Sequence, residues 1–266
     1  MIKTVVAGAA GRMGRRLVDN IINSEDMQLV GAFEVPGCPL MGSDAGSVAC
    51  GQECGVKITT AEEGLPEGTD AVITFATGGV IELAREAAAK GASIVIGTTA
   101  LPKEVLAELE ELAAKGARIV QAGNMSVGAN LLMSLAKKAA GLLGDNCDIE
   151  ITEMHHNQKK DAPSGTAMML AKAVCEAKGW DEEVIRHGRE GVIGARPGKE
   201  IGMHSLRGGD VVGDHTVIFA MNGERIELTH KASSRDMFSN GALRAVRFLA
   251  TAEPGKYDMQ DVLNLK

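Results

Sequence analysis

Aromatic side chains are scarce in this chain: Phe, Trp and Tyr together make up 3% of 266 residues. Basic charge is short as well, with 28 Lys and Arg against 35 Asp and Glu, a net charge of −7 and a pI near 5.5. Nucleic-acid binding draws on a basic surface and usually on stacking aromatics, so no nucleic-acid partner is expected. Apolar runs are brief and broken by Gly, too short to cross a bilayer as a helix, so no membrane partner is expected either. Met1-Ile2-Lys3-Thr4-Val5-Val6 lacks the basic, apolar and cleavage regions of a signal peptide. Five cysteines, an odd number, then read as reduced thiols in a cytoplasmic protein. Cys50 and Cys54, with Cys38 upstream, do not complete a four-ligand set, so no metal is expected.

What the chain does contain is 33 glycines in an ordinary globular background, 45% hydrophobic and 24% charged. Its length favours two domains. Many glycines fall at the ends of apolar runs, where tight strand-to-helix connections need a residue without Cβ. In the first half, β-branched runs at 2–7, 28–33, 71–75, 93–96 and 118–121 alternate with helical patterns at 13–22, 80–90, 102–115 and 129–143. Residues 36–69 read as loop, with strand-prone Val56-Lys57-Ile58-Thr59 inside. This alternation predicts a Rossmann-like, doubly wound parallel α/β sheet. After residue 145 the pattern changes. A strand at 149–153 and a helix at 163–178 precede strands at 211–220 and 225–230, which flank Met221-Asn222-Gly223-Glu224, a hairpin signal. A second, α+β domain with a mixed or antiparallel sheet is expected there. The last helical pattern, 238–250, is placed to return to the first domain.

The first strand runs directly into Gly8-Ala9-Ala10-Gly11-Arg12-Met13-Gly14 and then a helix. Glycines let the backbone approach a pyrophosphate, and the helix start offers free N–H groups and positive dipole. Glu34 ends the next strand, where an acidic residue can hydrogen-bond an adenosine ribose. A dinucleotide is the expected cofactor. Because Glu34 repels a 2′-phosphate and Val35 offers no compensating cation, NADH is favoured, with NADPH possible.

Residues 150–166 crowd donors and acceptors together: Glu150, Glu153, His155, His156, Lys159, Lys160, Asp161, then Pro163-Ser164-Gly165-Thr166 opening a helix. A His and a Lys can hold an anion and deliver a proton near neutral pH, while the helix start supplies further N–H donors. An anion site suited to a substrate carboxylate follows. Zinc on Glu150, Glu153, His155 and His156 is not expected, because the spacing matches no helical two-histidine motif.

The stretch from Glu153 to Ala167 resembles the signature of the 4-hydroxy-tetrahydrodipicolinate (dihydrodipicolinate) reductases of the diaminopimelate route to lysine. Gly8 to Gly14, Gly97-Thr98-Thr99, Asn124-Met125-Ser126-Val127-Gly128, Arg207-Gly208-Gly209-Asp210 and His230-Lys231-Ala232-Ser233-Ser234-Arg235 are similar to the family as well. The resemblance implies a dinucleotide-binding domain from residues 1–125 and 236–266, and a domain for substrate and oligomerisation from 126–235. It implies a likeness in cofactor contacts at Gly8, Ala9, Ala10, Gly11, Arg12, Met13 and Glu34, and nicotinamide contacts at Gly97, Thr98, Thr99, Ala122, Gly123, Asn124 and Met125. By the same resemblance, His155 and Lys159 handle the proton, and His156, Gly165 and Thr166 bind a small cyclic dicarboxylate, in a homotetramer. Val35 and Met125 depart from the family, which often has a basic residue at the first position and an aromatic at the second. Two rivals are another two-domain NAD(P)-dependent dehydrogenase, including one with a nucleophilic Cys147, and a non-catalytic dinucleotide sensor.

Overall fold

A computed structural model describes residues 1–266 and divides the chain into two compact units, Met1–Val127 with Asp236–Lys266, and Gly128–Arg235. The first unit is a seven-stranded, wholly parallel sheet built from β1 (Ile2–Ala7), β2 (Met27–Phe33), β3 (Ile58–Thr59), β4 (Ala71–Thr74), β5 (Ser93–Ile96), β6 (Arg118–Gln121) and, much later in sequence, β12 (Gly255–Tyr257). Spatial order is β12-β6-β5-β4-β1-β2-β3. The chain moves outward one way from β1 to β3 and the other way from β4 to β6. Strand order therefore reverses between β1 and β4, the place where open parallel sheets leave a crevice at the carboxyl ends of their strands.

Both faces of this sheet are covered, which explains the unbroken apolar strands. Alternate residues go to opposite sides: Val6, Ile73, Val95 and Val120 enter one core, and Val5, Val72, Ile94 and Ile119 enter the other. On the first side lie α1 (Arg12–Ile22) and α7 (Asp236–Leu249), with Leu17, Val18 and Ile21 packed with Leu243, Val246 and Leu249. On the second lie α3 (Val80–Ala89) and α4 (Lys103–Ala114).

The segment 36–69 is not all loop, because it contains the short helix α2 (Ala45–Cys50). One carboxylate makes it: Asp44 accepts from the N–H groups of Ser47, at 2.9 Å, and of Cys54 and Gly55, at 3.1 and 2.8 Å. Gly51 ends the helix at φ +81°. The strand-prone stretch after it pairs over two residues only, Ile58 and Thr59.

The second unit opens with α5 (Val127–Leu143) and carries a five-stranded mixed sheet. Its strands are β7 (Asp148–His155), β8 (Ile185–His187), β9 (Ile201–Arg207), β10 (Gly213–Met221) and β11 (Glu224–Ala232), in the order β11-β10-β7-β9-β8. β10 is antiparallel to both β7 and β11, whereas β9 is parallel to β7 and β8. Met221 pairs Glu224, so Asn222-Gly223 is a two-residue turn with Gly223 at φ +88°. β8, β9 and β12 were not expected from local pattern. β9 reads Ile-Gly-Met-His-Ser-Leu-Arg, poor in β-formers, and is held by pairing with β7 along its own whole length.

The covered face of this sheet packs on α5 and α6 (Gly165–Lys178). Its apolar part is Ile149, Ile151, Val217 and Phe219, all fully buried. Continuing along the same alternation, the next inward positions are Glu153 and His155 on β7 and His215 on β10, also buried. A core face thus turns polar towards one end, and a polar group there must find partners inside the protein. No helix is long and apolar enough to cross a membrane.

Candidate functional site

The loop after β1 is fixed by backbone geometry. Gly8 adopts φ +78°, and the N–H groups of Gly8 and Ala9 donate to the Phe33 carbonyl at 2.8 and 3.0 Å, pinning the loop to the end of β2. A Cβ on Gly14 would lie 2.0 Å from the Gly8 carbonyl oxygen, so only glycine lets α1 start this close to the loop. Gly11 is the N-cap of α1 and gives it no side-chain cap, leaving first-turn N–H groups for an anion. The residues present therefore fit a pyrophosphate. Beside the loop is a cavity of about 360 Å³, lined by Gly8, Glu34, Val35, Thr60, Ala76 and Gly79 among others. The Glu34 carboxylate accepts from the Ala10 and Val35 N–H groups at 3.0 and 3.1 Å, and Val35 is exposed at its rim.

The remaining cofactor candidates lie at carboxyl ends of neighbouring strands. Gly97 follows β5, and a Cβ there would stand 2.3 Å from the Phe75 ring. Buried Thr98 donates its hydroxyl to the Ala76 carbonyl at 2.6 Å, while Thr99 is exposed. After β6, the Ala122 N–H continues the sheet by bonding the Ile96 carbonyl at 3.1 Å, and Gly123 is exposed. Asn124 turns the chain by accepting from the Ser126 N–H at 2.8 Å. The Met125 side chain is fully buried in the core beside α7, and a Cβ on Gly241 would strike its carbonyl. Arg12 is exposed at the start of α1, and Met13 is half-buried.

In the second unit the polar end of the core face is organised by Glu153. Its carboxylate meets His155 Nδ1 at 2.6 Å, accepts the Arg207 guanidinium at 2.8 and 2.9 Å, and accepts the Ser164 N–H at 3.1 Å. Burial pushes this carboxyl up, but the bonds from Arg207 and His155 outweigh it and hold it at about 2. Burial likewise lowers His155, opposed by Glu153. His215, across the ladder on β10, stands edge-on to His155 with ring centroids 5.2 Å apart. Burial, with the charge of His155 adding to it, takes His215 down to about 4.

Lys159 does reach this end of β7. The chain turns after His155, the Lys159 N–H bonds the His156 carbonyl, and Lys159 Nζ lies 2.9 Å from both oxygens of Asp161. That bond holds the Asp161 carboxyl below its usual range. Arg207 also donates to the Asp161 carbonyl at 2.7 Å. Half-buried His156 donates its backbone N–H to the Val211 carbonyl at 2.7 Å, which fixes the backbone of the turn. Ser164 caps α6, its Oγ accepting from the Ala167 N–H at 3.1 Å, and Gly165 is exposed at the first helical position with half-buried Thr166 after it. Glu150 is not with His155: strand alternation sends it to the other face, where Arg189, Arg196 and His204 hold it at about 2 against burial.

Local sequence assigns no role to Arg207, leaves His215 unmarked and carries no sign that Glu153 organises the site. Glu153 and His155 stand two apart on a strand, which was a usable signal for a shared face. Arg207 lies in the family-like stretch Arg207-Gly208-Gly209-Asp210 but nothing local gives it a role, and nothing marks His215; both meet Glu153 through strand pairing. The five cysteines carry no disulfide. Cys147 is buried in the core of the second unit and its thiol is pushed up by burial, the opposite of an activated nucleophile.

Comparison with known proteins agrees along the whole chain. Residues 2–125 match the protein-family model described as dihydrodipicolinate reductase, N-terminus, and residues 128–263 match the corresponding C-terminus. The 4-hydroxy-tetrahydrodipicolinate reductase of Geotalea daltonii is 48% identical over 268 residues, covering 100% of both chains. That of Myxococcus xanthus is 45% identical over 269 residues, covering 100% of this chain and 99% of its own. A dipicolinate-bound dihydrodipicolinate reductase from Paenisporosarcina sp. TG-14 superposes with a TM-score of 0.79 at 26% identity, over 98% of each chain. An amine dehydrogenase from Mycobacterium smegmatis, with a TM-score of 0.60 at 16% identity, shares the fold. Matched from end to end by both halves of one family and by full-length relatives, the chain belongs to the dihydrodipicolinate reductase family.

Proposed function

We propose that the chain reduces 4-hydroxy-tetrahydrodipicolinate to tetrahydrodipicolinate with loss of water, in the diaminopimelate route to lysine, at a site centred on His155 and Lys159. The observation that carries the site is the tie between His155 and the start of α6 through Glu153, in a chain whose full length matches reductases of that name. The first unit is the dinucleotide-binding domain and the second the substrate domain. NADH is the preferred cofactor. Its adenosine would lie in the cavity beside Glu34, whose carboxylate suits two free ribose hydroxyls, and its pyrophosphate against the Gly8 to Met13 loop. The nicotinamide end falls to Gly97 to Thr99 and Ala122 to Met125, with Met125 contributing backbone because its side chain is in the core.

A reduced nicotinamide held there would supply a hydride to C4 of the ring once the 4-hydroxyl has left. Loss of the 4-hydroxyl as water leaves a conjugated C=C–C=N system, and the electron density pushed onto it by hydride must take up a proton. Lys159, kept beside Asp161, donates that proton, and His155 exchanges protons through Nε2 because Nδ1 is taken by Glu153. The α6 N–H groups at Gly165 and Thr166, with His156, hold the substrate carboxylates and fix the ring's orientation. The chain assembles as a homotetramer through its second unit, where β11 has no buried residue along its length. A cytoplasmic setting follows from this reading.

The test is oxidation of NADH and NADPH, with substrate generated in situ from pyruvate and aspartate semialdehyde by the preceding enzyme. Substrate-dependent oxidation is expected. Cofactor binding without oxidation favours the sensor and defeats the reading. Lys159→Ala should lower kcat by at least about 100-fold while NADH affinity is unchanged. Light scattering reads the tetramer.

A further inference from the structure

We infer that Glu153 is the positioning residue of this site: through one buried carboxylate it sets His155, the start of α6 and, by way of Arg207, the loop carrying Lys159. The inference rests on the proposed proton-transfer role of His155, which Glu153 serves without touching substrate.

Four observations carry it. First, Glu153 is 1% exposed, yet it sits where strand alternation would place an apolar residue like Ile149 and Ile151. A charge kept in such a place needs several partners, and it has them. Second, its two oxygens divide the work. Oε2 takes His155 Nδ1 and Arg207 Nη1, while Oε1 takes the Ser164 N–H and Arg207 Nη2. The partners come from β7, β9 and the start of α6, so one side chain joins three elements. Third, Arg207 passes the connection on. Its Nη2 donates to the Asp161 carbonyl, and the Asp161 carboxylate holds Lys159. Fourth, the far side of His155 is kept clear. A Cβ on Gly213 would lie 3.0 Å from Nε2, so glycine there leaves open the nitrogen that Glu153 does not occupy.

A carboxylate at Nδ1 fixes the proton on that nitrogen, so that proton exchange with substrate goes through Nε2. The charges facing His155 are Glu153 on its own strand, Lys159 on the turn beyond it, Arg207 on β9 and His215 on β10. Behind His215, His230 on β11 also acts on that ring. Among these, Glu153 is the one anion and favours the protonated imidazole, while Arg207 disfavours it. Removing either partner should therefore move the His155 titration in opposite directions, which loss of packing alone would not do.

The experiment compares Glu153→Gln, Arg207→Gln and His155→Gln with the full-length wild type. His155 is followed by NMR of protein labelled in its histidine rings, beside the pH profile of kcat, NADH affinity and the thermal unfolding midpoint. Glu153→Gln retains an acceptor for Ser164. It is expected to lower kcat about 10- to 100-fold, leave NADH affinity unchanged and move the His155 midpoint to lower pH. Arg207→Gln is expected to lower kcat and move the midpoint to higher pH. If Glu153→Gln matches wild type in both kcat and His155 midpoint while His155→Gln is inactive, the inference alone falls. Shifts of the same sign in both variants also overturn it. Near-normal turnover by His155→Gln removes the proton-transfer reading, and the positioning role with it. Should Glu153→Gln not fold, Arg207→Gln decides by the direction of its shift.

Discussion

Ser164 Oγ caps α6 through the Ala167 N–H and lies 2.9 Å from His215 Nε2, so one hydroxyl serves a helix end and a buried imidazole together. The other ring nitrogen of His215 is buried with no partner. The start of α6, the proposed grip on a substrate carboxylate, is thus coupled to a strand fifty-one residues away in sequence.

Ser164→Ala removes both contacts and leaves His215 without a hydrogen bond. Losing the cap costs about 1 kcal/mol, and stranding the ring adds on the order of 1 kcal/mol more. Urea unfolding should show a lower midpoint with an unchanged slope, and the substrate KM should rise.

His215 also makes stability depend on pH. Its folded value, about 4, lies below the ordinary 6.5, so the unfolded chain binds a proton that the folded chain refuses. Stability from this group is full above about 6.5 and is lost as pH falls towards about 4, by an amount on the order of 2–3 kcal/mol. His155 and His230, also lowered by burial, act in the same sense. Glu153 and Glu150, held at about 2 from an ordinary 4.5, lose their contributions as pH falls from about 4.5 to about 2, mostly below that window. Urea unfolding across this range should show the loss, and His215→Gln should flatten it.

Gly14→Ala places a methyl 2.0 Å from the Gly8 carbonyl oxygen, a backbone atom that cannot step aside without moving the loop. Overpacking of this kind costs about 1–3 kcal/mol. Calorimetric titration should show NADH affinity lowered at least about tenfold, because relieving the clash moves the loop against the start of α1, whose first-turn N–H groups are offered to the pyrophosphate.

Val35→Arg should change cofactor preference. Val35 is 67% exposed at a cavity also lined by Glu34, Glu62, Glu82 and Glu86, with no cation among the lining residues. A guanidinium there gives a 2′-phosphate a charged partner, and the NADPH-to-NADH ratio of kcat/KM should rise about tenfold. An unchanged ratio would place discrimination elsewhere.

Much of this protein is local and can be read from the chain alone. Strand and helix alternation to residue 143, the Gly8 to Gly14 turn with Glu34 beyond it, and the Asn222-Gly223 hairpin all depend on neighbours within a few positions. The same holds for the grouping of His155, Lys159 and Gly165, which sequence proximity brings to one strand end and one helix start. The tertiary structure alone decided the rest. α2 exists because Asp44 gathers N–H groups from as far as Gly55, and β12 because β6 leaves an edge open to Gly255–Tyr257. Arg207 opens a family-like stretch that assigns it no partner, and His215 has no local mark of function. They reach the site because β9 and β10 flank β7 in a fixed register, which sets Arg207 opposite His155 and His215 opposite Glu153. Periodicity tells which way a side chain points, but only long-range pairing determines what it meets.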